Sequence, residues 1–498
     1  MPEALNRLAN APPLWRGMFL AGLGALAALG QAPWDLPWVT LAILILMLAL
    51  PVTHWKATAF NGWAMGCGYF GVALHWITQP FMVDAARDGW MAPFALILLA
   101  AGLALFWAIA FGLAQRLGGA ALALVACWTG AEVVRSLAFT GFPWALIGHI
   151  WIDTPLAQLA AYVGPHGLTL LTLTSAGLVA SFRIWSLAPV LLAAGAWWAL
   201  DPGPAPAPDP TAPVIRLVQP NVPQDEKWDP VQVPLHFQRI LELTARGPTP
   251  DLVVWPETAI PWLLDQAQGA LESSALAARG APVILGVQRR EDARYFNAMA
   301  ALDRVGAVTA VYDKSHLVPF GEYIPFGEVL GQFGLQGLAA SNGDGFSAGI
   351  GPALIDVPGI GLVLPLICYE GIFAEEVNAL PGRARLMVLI TNDAWFGTDT
   401  GPYQHFAQAR LRAIEQGLPM VRVANTGISG LIDARGRVLG QIGLGEQGVL
   451  DTALPAALAP TVYARFGDTP VLVLLGLVGL GLIGRKWWFK VDPAVKPN

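Results

Sequence analysis

The chain has 498 residues, of which 55% are hydrophobic and only 13% are charged. A soluble domain usually carries about 25% charged residues, so the composition favours a membrane protein over several soluble units. The net charge of -6 is mild and gives no reason to expect a nucleic-acid partner. Three cysteines do not suggest a disulfide framework. Cys67 and Cys127 lie in apolar stretches, which leaves Cys368 as the cysteine of the polar part.

The first two hundred residues form a series of apolar segments that predict membrane helices. Several approach the ~20 residues needed to cross a bilayer, where a helix satisfies its own backbone hydrogen bonds. The first segment could be mistaken for a cleaved signal peptide, but six more follow it, so we interpret it as a retained helix. With a last segment near the C-terminus, about eight transmembrane helices are predicted: Leu14–Leu29, Leu36–Leu50, Ala57–Ile77, Met91–Leu113, Ala120–Leu137, Val163–Phe182, Trp185–Leu200 and Val471–Gly484.

Charges in the joints between these segments predict the orientation of the chain in the membrane. One set of joints is rich in lysine and arginine, whereas the opposite joints hold only Arg87 and Arg135 beside five acidic residues. Under the positive-inside rule this bias places both termini in the cytoplasm. Seven crossings then put the large segment after Leu200 outside the cytoplasmic membrane. The basic joints contain Arg7, Arg16, Lys56, Arg116 and Arg183.

The sequence divides into four parts. Residues 1–200 hold the first seven predicted helices, and residues 201–212 are a proline-rich spacer of the semi-rigid, extended kind. Residues 213–460 read as a soluble α/β domain, and residues 461–498 hold the final helix and a cytoplasmic tail.

Within the soluble part, short apolar runs alternate with amphipathic stretches such as Val231–Arg246 and Tyr403–Gly417. This alternation is typical of a layered fold in which helices pack on a sheet. The predicted strands, in chain order, are Val214–Val218, Leu252–Trp255, Val283–Val287, Ala307–Tyr312, Ile360–Cys368 and Leu386–Thr391.

Three of these predicted strands end in reactive side chains. Glu257 follows the second strand, Lys314 follows the fourth, and Cys368 ends the fifth. A rigid strand aims such a group and the following loop exposes it, so the three could meet at one sheet edge and carry out covalent acyl transfer. Glu257 would then be the base. Lys314 would lower the thiol pKa and bind the oxyanion, together with a backbone N–H near Tyr369.

Each of these residues also has an ordinary structural interpretation. A free cysteine is more often a small buried hydrophobe than a nucleophile. Glu257 could cap a helix, and Lys314 and Glu322 could be surface charges. His316 has no accompanying cluster of metal ligands, so a hydrogen-bonded structural role is favoured over metal binding.

The motifs around these residues resemble the nitrilase superfamily. The embedding of the soluble part between seven helices and one helix resembles, more specifically, the apolipoprotein N-acyltransferase family of Gram-negative bacteria. The resemblance covers nearly the whole chain and is most specific in the second and third motifs. The motifs are Trp255-Pro-Glu257, Lys314-Ser-His-Leu-Val-Pro-Phe-Gly-Glu-Tyr323, Ile367-Cys-Tyr-Glu370 and Thr391-Asn-Asp-Ala-Trp-Phe-Gly397.

This resemblance implies an αββα sandwich that faces the periplasm from the inner membrane. It implies transfer of an acyl chain from a phospholipid to the N-terminal amine of a diacylglyceryl-cysteine lipoprotein, with Glu257, Lys314 and Cys368 as base, oxyanion partner and nucleophile. Supporting or substrate-binding roles carry over to matching positions, which are Glu322, Tyr369, Glu370 and Trp228.

A thioester intermediate must be kept from water, which predicts apolar loops over the site at the membrane surface. Candidate lids are Glu322–Gln336, with its apolar side chains, and the Trp395-Phe396 pair in a glycine-rich turn. The mechanism requires no metal and no organic cofactor, and a monomer suffices for it.

Two other functions are alternatives to the transferase. A membrane-anchored amidase would have the same three reactive residues with water as the acceptor, but seven helices exceed what an anchor needs. A non-catalytic lipid carrier or transporter should show polar residues deep in its helices or repeated, interrupted halves. Such features are sparse here, so the transferase is favoured.

Overall fold

The computed structural model describes residues 11–50, 54–181, 187–325, 345–379 and 382–491, with side chains described up to residue 486. It separates into two compact units. The helical unit comprises Met1–Thr78, Met91–Asp201 and Arg465–Asn498, and the sandwich unit comprises Gln79–Trp90 and Pro202–Ala464. The short stretch Gln79–Trp90, which lies within the predicted membrane part of the sequence, therefore groups with the sandwich unit.

Each of the eight predicted apolar segments contains a helix. Among the described residues, four stretches are long and apolar enough to cross a membrane, namely Pro13–Gly30, Ala85–Arg116, Pro155–Ala180 and Thr469–Lys486. The count of about eight crossings therefore stays a prediction. The helices of the unit are α1 (Pro13–Ala27), α2 (Pro37–Ala49), α3 (Trp55–Ala73), α5 (Ala92–Arg116), α6 (Ala121–Leu137), α7 (Ala160–Ala180), α8 (Leu187–Ala199) and α14 (Thr469–Val491); α4 (Ala85–Asp88) groups with the sandwich unit.

Buried polar side chains of the helical unit form hydrogen bonds and ion pairs with one another. Glu132 accepts hydrogen bonds from Trp107 Nε1 at 2.7 Å and from Arg135 Nη2 at 2.7 Å. His166 lies 3.0 Å from both Ser136 Oγ and Asp468 Oδ2. Ionisable groups inside a membrane bundle are costly unless paired, so these contacts make such residues compatible with an apolar surrounding.

The sandwich unit contains two six-stranded sheets. The first has the order β12-β1-β2-β3-β4-β5 and the second the order β11-β10-β9-β8-β7-β6. The strands are β1 (Val214–Gln219), β2 (Leu252–Val254), β3 (Val283–Glu291), β4 (Arg294–Leu302), β5 (Val308–Asp313), β6 (Ile355–Val357), β7 (Gly361–Ile367), β8 (Leu386–Thr391), β9 (Met420–Ala424), β10 (Ser429–Ile432), β11 (Val438–Ile442) and β12 (Gly448–Ala453).

Helices cover each sheet. The helices of the unit outside Gln79–Trp90 are α9 (Val233–Thr244), α10 (Gln268–Ala277), α11 (Ala374–Asn378), α12 (Gly401–Gln416) and α13 (Val462–Phe466). Side chains of α9 and α10 form one buried core with β2, β3 and β4, and side chains of α12 form another with β7, β8 and β9. Strands of the two sheets contact each other at β1 and β9 and at β5 and β6. The observed order of layers is therefore helix, sheet, sheet, helix, and the predicted α/β sandwich is confirmed.

Strand direction brings the reactive strand ends together within each sheet. β2 is parallel to β3, and two antiparallel pairings through β4 make β5 run in the same direction as both. In the second sheet, β7, β8 and β9 are parallel. Residues that follow β2 and β5, and those that follow β7 and β8, consequently leave at shared edges, as parallel strands require.

All six predicted strands are present, and Pro365 is accommodated within one of them. A proline within an apolar run argues against a long central strand, yet β7 has seven residues. Its partner β6 pairs only with residues 361–363, so Pro365 lies beyond the part of β7 that has neighbours on both sides. A residue without a backbone N–H is tolerated where no second ladder needs that donor.

Candidate active site

Cys368 lies directly after β7 in an unusual backbone conformation. Its φ angle is +50°, in the left-handed region, and the residue is only 6% exposed. A non-glycine residue held there costs about 1–3 kcal/mol, which persists only when surrounding contacts impose it. The thiol also hydrogen-bonds the side chain of Thr391, the last residue of β8. This strained turn distinguishes Cys368 from an ordinary buried cysteine.

Lys314, directly after β5, lies between two carboxylates. Its Nζ is 2.8 Å from Glu322 Oε2 and 3.7 Å from Glu257 Oε1. All three side chains are buried, and Lys314 is only 1% exposed. The surface interpretation of Lys314 and Glu322 is therefore wrong, because a solvated charge would not be enclosed in this way.

Two asparagines hold Glu257 in place. Asn297 on β4 donates from Nδ2 to Glu257 Oε1 at 2.7 Å and to Glu322 Oε1 at 3.1 Å. The backbone N–H of Asn392 donates to Glu257 Oε2 at 2.8 Å. Sequence reasoning missed Asn297 because β4 was not predicted. The only signal was one polar residue within the run Tyr295–Leu302.

The charges act on the Cys368 thiol in opposite directions. Burial would lower the pKa of Lys314, but the Glu322 and Glu257 carboxylates outweigh it and the net shift is upward. Burial and the Glu257 carboxylate raise the pKa of Cys368 above its ordinary value, whereas Lys314 acts to lower it. We expected a lowered thiol pKa; the predicted effect of Lys314 is present, but desolvation is larger. The resting thiol is therefore protonated, and it needs a base within the site.

Lys227 is a second cation beside these groups that sequence reasoning did not select. Its Nζ donates to the backbone oxygen of Glu257 at 3.3 Å. Burial lowers the pKa of Lys227 to about 8, against the opposing attraction of Glu257 and Cys368. Lys227, Trp228, Phe237 and Glu257 line an open cavity. Trp228, a predicted substrate-binding residue, is therefore placed at a cavity that reaches the proposed base.

The Glu370 carboxylate accepts hydrogen bonds both from residues next to Lys314 and from the residue before Cys368. Its Oε1 accepts hydrogen bonds from Tyr312 Oη at 2.7 Å, from the Ser315 N–H at 2.7 Å and from Ser315 Oγ at 2.9 Å. Its Oε2 accepts from the Ile367 N–H at 2.8 Å. One buried carboxylate thus fixes the backbone next to Lys314 and next to Cys368.

The Tyr369 and His316 side chains pack together beside Glu370. The buried Tyr369 ring packs edge-on against Phe373 and His316. His316 Nδ1 contacts Glu376, and its ring stacks on Phe373 at 3.8 Å. The hydrogen-bonded role predicted for His316 matches these contacts.

The two candidate lids differ in what the structure describes. Most of Glu322–Gln336 lies outside the described residues, including Phe326, Val329 and the positions that follow. Trp395 and Phe396 lie in a short 3-10 helix, Asp393–Phe396, and Phe396 is buried with its ring edge against His405.

Comparison with known proteins places these features in a family. Residues 23–178 match the apolipoprotein N-acyltransferase N-terminal domain, and residues 214–462 match the carbon-nitrogen hydrolase family. An apolipoprotein N-acyltransferase from Rhodopseudomonas palustris is 37% identical over 97% of this chain and 98% of its own length. The one from Brucella melitensis is 37% identical over 95% of this chain and 97% of its own. This chain belongs to the apolipoprotein N-acyltransferase family.

Membership in the apolipoprotein N-acyltransferase family agrees with the two units seen in the structure, since one matched domain falls in each. Together with the apolar helices, it makes the chain a bacterial membrane protein. Among solved structures, a variant of the amidase from Nesterenkonia sp. AN1 is similar at 19% identity and a TM-score of 0.39, over 54% of this chain and 99% of that one.

Proposed function

We propose that this member of the apolipoprotein N-acyltransferase family transfers an acyl chain from a phospholipid to the N-terminal amine of a diacylglyceryl-cysteine lipoprotein, through a thioester on Cys368. The observation that carries the proposal is the buried Lys314 ammonium, enclosed by Glu257 and Glu322 and acting with Glu257 on the same thiol. A carboxylate, an ammonium and a thiol in one buried site are the parts that covalent acyl transfer needs.

In the first half-reaction, Glu257 takes the thiol proton as Cys368 Sγ attacks the ester carbonyl of the phospholipid. The carbonyl oxygen becomes an oxyanion, which the Lys314 ammonium and the Tyr369 backbone N–H stabilise. The intermediate then collapses with cleavage of the C–O bond. Glu257 returns its proton to the leaving alkoxide, and a lysophospholipid departs while the acyl group stays on sulfur.

In the second half-reaction, the lipoprotein amine attacks the thioester carbonyl in its neutral form. Because its unperturbed pKa is ~8, the amine is mostly protonated near neutral pH and first releases one proton to solvent. Glu257 accepts the second proton from the attacking nitrogen as the C–N bond forms. Cleavage of the C–S bond releases the amide, and Glu257 gives its proton back to Cys368, which restores the resting state.

Four further residues support this chemistry in the proposal. Glu322 holds the Lys314 ammonium in place, and Glu370 fixes the backbone on which Lys314 and Cys368 lie. Tyr369 supplies its N–H to the oxyanion. Trp228 lines the cavity beside Glu257, where it contacts substrate.

The proposed placement in the cell follows from the charge bias of the joints. Residues 1–200 cross the inner membrane seven times, the spacer 201–212 leads to the catalytic domain 213–460 in the periplasm, and residues 461–498 return the chain to the cytoplasm. Phospholipid and lipoprotein are both available at that surface. The mechanism needs one copy of the chain.

The test is direct detection of the intermediate. Purified enzyme incubated with phospholipid alone should gain the mass of one acyl group, removable by hydroxylamine, and should then form N-acyl product when a diacylglyceryl-cysteine peptide is added. Cys368→Ala should show neither adduct nor product, whereas Cys67→Ser and Cys127→Ser, as matched controls, should show both. Active enzyme without an adduct would remove the thioester, and release of free fatty acid with no N-acyl peptide would identify a hydrolase that uses water as the acceptor.

A further inference from the structure

A buried histidine contacts the backbone of the strained cysteine turn. His405 lies on α12 and is fully buried, with Nε2 at 3.2 Å from the carbonyl oxygen of Cys368. A carbonyl oxygen can only accept a hydrogen bond, so Nε2 carries the proton in this contact. The donor therefore acts on the peptide group that follows the positive φ angle of Cys368.

The orientation of this imidazole is fixed from the opposite side. Its Nδ1 lies 3.0 Å from Asp393 Oδ1 and 3.1 Å from Arg422 Nη2. Arg422 Nη2 also donates to Asp393 Oδ2 at 2.6 Å, and Thr391 Oγ1 donates to Asp393 Oδ1 at 2.8 Å. Asp393, Arg422 and His405 are all fully buried. Such an enclosed network leaves the ring little freedom to turn away from Cys368.

The contact with the Cys368 carbonyl also fixes the direction of the Tyr369 N–H, which belongs to the same peptide group. A trans peptide is planar, and its C=O and N–H point in opposite directions. Holding the Cys368 carbonyl towards the buried His405 consequently turns the Tyr369 N–H away from the network. The Glu257 and Lys314 side chains, which follow strands of the first sheet, act on the thiol of this turn.

We propose that His405 is a positioning residue that holds the Cys368–Tyr369 peptide so that the Tyr369 N–H faces the oxyanion of the tetrahedral intermediate. This role rests on the proposed covalent function of Cys368. His405 does not touch the reacting atoms; it acts through the peptide, while Asp393 and Arg422 act through His405.

The alternative is that His405 merely stabilises the second sheet, and three substitutions separate the two roles. His405→Phe fills the volume without a donor. His405→Gln offers an amide nitrogen at the position of Nε2, whereas His405→Asn offers one only at the position of Nδ1. Each is made with Cys67 and Cys127 replaced by serine, so that Cys368 is the reacting thiol.

The experiment compares two reactions of this thiol. A p-nitrophenyl ester of a medium-chain fatty acid forms an oxyanion and reports acylation as a nitrophenolate burst, whereas iodoacetamide alkylates the thiol without an oxyanion. Loss of one oxyanion donor costs about 10²–10³-fold, so acylation should fall at least ~100-fold in the Phe and Asn variants while alkylation stays within about threefold. His405→Gln should recover part of the burst rate.

Several outcomes overturn the proposal. Acylation at the wild-type rate in the Phe or Asn variant would show that the contact does not place the donor. A parallel loss of both rates, or failure of both variants to give folded protein, would assign His405 to the stability of the domain. A wild-type enzyme with no burst removes the thioester function and this role with it, whereas a wild-type burst with undiminished variants removes only the role of His405.

Discussion

Replacing Glu370 with glutamine tests whether one buried carboxylate keeps Lys314 and Cys368 in their relative positions. The substitution preserves shape and removes the charge. The glutamine oxygen can still accept from Tyr312 and Ser315, but its amide nitrogen then faces the Ile367 N–H, donor against donor. The backbone before Cys368 loses its partner, and the backbone after Lys314 keeps a weaker one.

The magnitude follows from these contacts. A buried N–H left without a partner costs about 1–3 kcal/mol, and each bond that changes from a charged to a neutral acceptor loses about 1 kcal/mol. Burial raises the pKa of Glu370, so removing the charge also relieves part of a desolvation cost. We therefore expect a net destabilisation of about 2 kcal/mol, smaller than the sum of the individual losses. The rate of thioester formation should fall by about 100-fold, because even a small displacement of a reacting group slows the reaction strongly.

The assay combines thermal unfolding in detergent with the p-nitrophenyl ester burst. Glu272→Gln is the matched control, since Glu272 is an exposed carboxylate on α10 of the same unit whose side chain pairs only with Gln268 among the described contacts. An exposed change of this kind should stay within about 0.5 kcal/mol and leave the burst unchanged. A stable Glu370→Gln variant with a wild-type burst would refute the reasoning, and lost stability with an intact burst would limit Glu370 to the fold.

Two further predictions concern Asn297 and Lys227, which both donate hydrogen bonds to Glu257. Asn297→Asp removes the amide donor and places a third carboxylate, which repels Glu257 and Glu322, in the same position. Thioester formation in single-turnover measurements should therefore be about tenfold slower than in Asn297→Ala; an Asp variant that reacts as fast or faster would contradict this. Lys227 has a pKa lowered to about 8, so between pH 8 and its ordinary value of ~10.4 the unfolded chain binds a proton that the folded chain has lost. The stability of the wild type should therefore rise relative to Lys227→Met across that window, with Met the more stable at pH 7; unfolding midpoints that stay parallel from pH 7 to 10 would contradict the assignment.

The predictable part of the fold was the part with long apolar runs. β1, β2, β3, β5, β7 and β8 are strongly apolar over five or more neighbouring residues or end at a recognisable motif, and each was predicted. β4, β6 and β9–β12 were missed because they are short or mix polar residues or glycine with apolar ones, and their pairing partners define them more than their composition. Membrane crossings are also harder to count from apolar runs, since several of the described helices are shorter than a bilayer requires.

The residues of the site also differ in whether the sequence alone reveals them. Glu257, Lys314 and Cys368 were found because each ends a predicted strand. Asn297, Asp393, His405 and Arg422 were not selected, because their roles depend on contacts between segments that lie far apart in the sequence. The predicted effect of Lys314 on the thiol pKa is present, but the net shift is upward: a sequence names the neighbouring cation but not the extent of burial, and here burial is the larger effect.

The raised thiol pKa has a simple explanation in the charge balance of the site. Glu257 and Glu322 contribute two negative charges, and Lys314 and Lys227 contribute two positive ones. Release of the Cys368 proton to solvent would leave an uncompensated negative charge in a buried place, which is costly. Transfer of that proton to Glu257 leaves the sum unchanged. The nucleophile should therefore form only as part of the attack on an acyl carbonyl, so alkylation of Cys368 by iodoacetamide should be slow at neutral pH while the ester burst remains fast.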